Sequence, residues 1–97
     1  MILQALNEFA ILCRDSEISV VEGMLPFWPQ LYCALAIDVK HEVREAAQLA
    51  HAALLKRVGK GIAMYLKQLA GAWFISQHDV HPPAASIATN SFNVNIF

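Results

Sequence analysis

Val43, Ala47, Ala50, Leu54 and Val58 recur at spacings of four, three, four and four. That is the period of one face of an α-helix. The face is built from small residues, with alanine at 46, 47, 50, 52 and 53, so it calls for helices packed closely against it. Such a segment fits neither a strand nor an isolated helix. Lys40, His41, Glu45, Gln48 and Lys56 fall largely on the other side and are expected to face solvent.

The same period runs through the rest of the chain, and no stretch alternates long enough for a strand. Ile2, Leu6, Phe9 and Cys13 mark a helix over 2–14. Asp15 or Ser16 can cap a short helix over 17–24, which Gly23 ends. Pro26 and Pro29 suit a first helical turn, where an N–H has no partner. They open a helix over 29–37 with Leu31, Ala34 and Leu35 expected inward. Asp38 closes the next turn, its carboxylate accepting free N–H groups of a helix over 40–57. Gly59 and Gly61 break that helix. A further helix over 62–77 buries Ile62, Tyr65 or Leu66, Leu69, Trp73 and Ser76, and Pro82-Pro83 open a last one over 84–96. The fold class is all-α.

Of the 97 residues, 57% are hydrophobic and 15% charged, against roughly 25% charged in soluble domains. A domain this small cannot easily hide so much apolar surface, which points to cover from adjoining chain. A membrane span does not fit. The longest apolar run, 62–75, carries Lys67 and Gln68 at its centre and is shorter than the ~20 residues a span needs. The N-terminus lacks a basic region and contains Glu8, unlike a signal peptide. The net charge of −1 does not support a whole-domain electrostatic grip on nucleic acid. Cys13 and Cys33 read as buried thiols of a reducing compartment, the cytosol.

Asp38 and Asp79 occupy matching turns 41 residues apart, within the ~40–47-residue period of HEAT and armadillo repeats. The stretch "LPFWPQLYCALAIDVKHEVREAAQLAHAAL" resembles the HEAT repeat, with Pro26, Asp38, Val43, Arg44, Ala46 and Ala47 in that repeat's places. The resemblance implies a right-handed solenoid of two to two and a half helix pairs. It also implies a structural ladder of Asp38, Val43 and Arg44 that ties adjacent turns together. Residues 1–97 are then a single fragment of a longer solenoid, because "MILQAL" and "NVNIF" are apolar to the edge rather than capped.

A closer likeness covers nearly the whole chain. "ALNEF", "MLPFWPQLYCALAIDVKHEVREAAQLAH", "AMYLKQLAGAWFISQHD" and "PPAASIATNSF" together resemble the N-terminal region of the listerin family. Listerins are RING-type E3 ubiquitin ligases of ribosome-associated quality control. The resemblance implies docking to the large ribosomal subunit and to the nuclear export mediator factor, in an assembly that ubiquitinates nascent chains on stalled large subunits. Two cysteines cannot supply the eight zinc ligands of a RING. Catalysis and zinc are therefore expected outside this segment, which needs no cofactor, small-molecule substrate or membrane.

Lys56, Arg57 and Lys60 form the main basic cluster, and Trp28 stands beside its prolines. Together they are the candidate interaction patch, for RNA phosphate or an acidic partner. The bland reading is cations at a helix C-terminus and a core tryptophan. A generic HEAT scaffold for transport or signalling is the alternative function. A metal-dependent hydrolase is a remote one. His41-Glu42 matches the start of the metalloprotease pattern, but Glu45 stands where the second histidine belongs. His51 lies nearly opposite on the helix, and His78 and His81 have no evident third ligand. No catalytic or metal residue is assigned.

Overall fold

The 18-residue helix His41–Val58, α4, is the centre around which the other helices gather. It starts where the Asp38 carboxylate accepts the Lys40 N–H at 2.9 Å. Glu42 in its first turn and Lys56 and Arg57 in its last complement the helix dipole. It stops at Gly59, whose φ of +51° lies in the left-handed region that glycine tolerates.

A computed structural model describes residues 2–96, and these are helical with no strand among them. The order is α1 (Ile2–Asp15), α2 (Ile18–Met24), α3 (Trp28–Leu35), α4, a 3₁₀ segment (Gly59–Tyr65), α5 (Leu66–Ser76) and α6 (Pro82–Ile96). No helix is long and apolar enough among the described residues to cross a membrane. Helix α4 packs against α1 on one side and α6 on the other, while α3 packs against both α4 and α5. The molecule measures 35 × 32 × 19 Å. Its thin dimension is about two helix diameters, so α1, α4 and α6 form one layer and α3 and α5 lie across it.

The alanine face of α4 is buried as the spacing predicts. Val43, Ala47, Ala50 and Leu54 are covered, and α1 can approach closely because little side chain stands between. On α5 the stripe Leu69, Trp73 and Ser76 is buried together with Ile62.

Four expectations need correction. In α3 the inward residues are Trp28, Pro29, Tyr32 and Leu35, whereas Leu31 is 46% exposed and Ala34 is exposed. The large rings win the core because they cover more apolar area than an alanine or leucine one stripe away. On α4, Gln48 is fully buried rather than solvated, and His51 is buried beside it. The helix expected over 62–77 is divided, since the chain runs as a 3₁₀ turn from Gly59 to Tyr65 before α5 begins. Neither Asp15 nor Ser16 caps α2, whose N-cap is Glu17 with no side-chain hydrogen bond.

Most of the buried polar groups meet a partner. Trp28 Nε1–H donates to His51 Nδ1 at 2.8 Å, Tyr32 Oη–H to Gln48 Oε1 at 3.0 Å, and Trp73 Nε1–H to Ser91 Oγ at 3.0 Å. Phe9 stacks on Trp28 with centroids 4.7 Å apart, Tyr32 on His51 at 4.1 Å, and His51 meets Trp73 edge-on at 4.4 Å. Rings from α1, α3, α4 and α5 thus form one continuous column. Accepting at Nδ1 places the single imidazole proton on Nε2, which has no hydrogen-bond partner among the described residues.

Burial pushes the His51 pKa down to about 3 from an ordinary 6.5, so the ring is neutral in the fold. The unfolded chain binds a proton there that the folded chain refuses. Stability is therefore full above about pH 6.5 and falls as pH drops toward 3. Between pH 7 and pH 5 the loss is about 2 kcal/mol. Denaturant titrations at the two pH values should show it, and a His51→Gln variant should lose this dependence whatever its own stability.

Candidate functional site

The two intra-pair turns are built alike. Asp38 Oδ1 accepts the N–H of Lys40 at 2.9 Å, and Asp79 Oδ1 accepts the N–H of His81 at 2.8 Å. Each aspartate closes its turn by capturing the amide two residues on, and the two stand 41 residues apart.

Arg44 joins the turns. Its Nε and Nη2 donate to the Asp79 carboxylate at 2.8 and 3.1 Å, and Nη1 donates to the Asp38 carbonyl at 2.9 Å. The Arg44 and Asp79 side chains are 15% and 7% exposed, so the fork is largely shielded from solvent screening. The Arg44 hydrogen bonds, reinforced by the His81 amide, hold the Asp79 carboxyl below the usual carboxylate range. Asp79 in turn raises the Arg44 guanidinium, chiefly through the same hydrogen bonds. Of the residues expected to form a ladder, Asp38 and Arg44 meet through a backbone carbonyl, and Val43 lies in the core. Asp79 supplies the carboxylate, and its 41-residue offset from Asp38 was the signal for it.

The candidate interaction patch does not survive as one surface. Trp28 is 1% exposed, because its ring is stacked on Phe9 and its N–H is bound to His51. Arg57 turns inward to the end of α1, donating to the carbonyls of Cys13, Arg14 and Ser16 at 2.7, 2.8 and 2.7 Å. Those carbonyls belong to the terminal groups a helix cannot satisfy itself, so Arg57 ties α4 to α1. Lys56 and Lys60 remain exposed. Beside Arg57, Cys13 is buried, and burial raises its thiol pKa.

The histidines pair rather than chelate. His81 Nε2 lies 2.8 Å from Glu45 Oε1, the His41 and His81 rings are 4.2 Å apart, and His41 Nδ1 is 3.7 Å from Glu42. Among the described residues no three His, Cys, Asp or Glu side chains are arranged to hold a metal ion.

These features define an all-α protein whose helices gather on α4 and whose two aspartate turns are joined by one arginine. The sequence profile of the N-terminal domain of the E3 ubiquitin-protein ligase listerin matches residues 3–96. The listerin of Gallus gallus is 43% identical over 90 residues, covering 93% of this chain and 5% of that protein. The listerin of Mus musculus is 41% identical over 90 residues, again 93% of the chain and 5% of the relative. That of Drosophila melanogaster is 42% identical over 89 residues, 92% and 5%. No solved structure matches. The chain belongs to the listerin N-terminal domain family. It spans about 5% of the length of these relatives.

Three substitutions separate the joints. Arg44→Ala should lower the thermal midpoint by several degrees. Combined with Asp79→Ala it should lose less than the sum of the single losses, the signature of a coupled pair. Arg57→Ala should cost about 2 kcal/mol, in the range for hydrogen bonds to charged groups. Hydrogen exchange should then quicken at residues 13–17, where the carbonyls are released.

Proposed function

We propose that this chain is a docking and scaffold segment of a listerin-type ubiquitin ligase, the ligase acting on nascent chains held by stalled large ribosomal subunits. The observation that carries the reading is the match to the listerin N-terminal domain across residues 3–96. The fold supports a mechanical role, since its best-defined polar contacts join helices to one another rather than converge on a reacting group.

In this reading the chain is a HEAT-type unit within a longer arm in the cytosol, and Arg44 is a rung between consecutive repeats. Helix pairs of such arms bury their faces against neighbours. Ile2, Ile11 and Leu12 on α1 are exposed apolar residues of the kind a neighbouring repeat would cover. The partners are the large subunit and the nuclear export mediator factor. Ubiquitin transfer and its zinc belong to a RING elsewhere in the ligase. The fold alone would equally suit a scaffold in transport or signalling, so the test must read ribosome association.

Full-length ligase and a version lacking residues 1–97 should be compared for co-sedimentation with purified large subunits, with and without the export mediator factor. Circular dichroism should first establish that the remainder is folded. Loss of co-sedimentation and of nascent-chain ubiquitination by roughly tenfold or more is expected, a change worth about 1.4 kcal/mol. Unchanged association and activity would sink the docking role.

A further inference from the structure

The outer face of the α1–α4–α6 layer has a chemistry of its own. Glu42, Glu45, Leu49, Ala52 and Lys56 follow one another at steps of three, four, three and four along α4, so they share one stripe. Glu42, Leu49 and Lys56 on that stripe are exposed. Between the stripe and α6 runs an open groove of about 430 Å³, walled by Leu49, Ala52, Ile87 and Val94 and reaching Lys56 and Asn90. Leu49 also borders a second cleft against Leu3 of α1, with Glu42 at its far end. Leu49 is 49% and Val94 71% exposed.

In the proposed repeat arrangement, stacking would leave this face open. It lies over the α1–α4 and α4–α6 junctions, and further helix pairs would extend that layer sideways. Its charges are also polarised. Lys56 is the one charged side chain lining the α4–α6 groove, with no carboxylate beside it and no ion-pair partner among the described residues. At the other end of the stripe Glu42 is exposed, and Glu45 is taken by His81. The 14 steps from Glu42 to Lys56 span about 21 Å at 1.5 Å each, the length of roughly four helical turns.

We propose that this face, centred on Leu49, docks an amphipathic helical segment of a partner protein. The segment lays aliphatic side chains over Leu49, Ile87 and Val94 and sets a carboxylate against Lys56. Aliphatic walls with one cation suit a polypeptide better than RNA, which calls for several cations and aromatic faces on which bases stack. The proposal deepens the docking reading by naming the surface and the chemistry of its partner.

The test is selection of 16-residue peptides from a random helical library by the full-length protein, by Leu49→Glu and by Lys56→Glu. Both positions are exposed, and matching circular dichroism melts would show the fold intact. Wild-type protein should enrich aliphatic residues at helical spacing with Asp or Glu at one end. Selected peptides should bind Leu49→Glu at least roughly tenfold more weakly, and Lys56→Glu should prefer Lys or Arg at that end. The proposal is overturned by no helical pattern, or by peptides indifferent to both variants. Tighter binding of a 20-nucleotide RNA that depends on Lys56, or Leu49-dependent self-association in sedimentation velocity, would also overturn it. Subunit association that persists without peptide selection removes this surface alone. Peptide selection that persists when residues 1–97 prove dispensable for the ribosome removes the docking reading instead.

Discussion

A neutral imidazole at the centre of the chain sets the terms for everything packed around it. His51 is reached by Trp28 through a 2.8 Å hydrogen bond, by the face of Tyr32 and by the edge of Trp73. One residue of α4 thereby fixes how α3 and α5 lie across the layer. A leucine at that position would fill space but give the indole N–H no acceptor, and an unpaired buried donor is costly. The core is consequently specific in geometry as well as apolar, and it is sensitive to acid for the same reason.

At the periphery, two arginines do for the edges what His51 does for the centre. Arg44 gathers the two aspartate turns, and Arg57 gathers the carbonyls at the end of α1. Each spans elements far apart in sequence, and each uses the planar fork of guanidinium, which an ammonium group could not reproduce. With only 15% charged residues, the chain commits two of its strongest donors to joints between helices.

The helices were legible because their period is strong, and α4 and α5 bury the stripes their spacing outlines. What escaped was whatever depended on a distant partner. Gln48 and His51 are polar, and polarity argues for solvent until Tyr32 and Trp28 are seen to meet them from 16 and 23 residues away. Arg57 resembled an ordinary cation at a helix end, because its acceptors lie 41 to 44 residues earlier. The eight residues of α3 make barely two turns, too short for spacing to choose between adjacent stripes. Of the candidate site, the aspartate turns were readable from their repetition, but the dispersal of the basic cluster was not.

The turn-to-turn fork also has a direction. Arg44 lies six residues after Asp38, and the corresponding position after Asp79 is Ala85. The joint between the first turn and the second is locked by charge, while the surface around Ala85, Ser86, Thr89 and Asn93 carries no guanidinium. The charge lock is therefore one-sided: a single guanidinium closes the first turn onto the second, and the second turn carries no arginine of its own at the matching place.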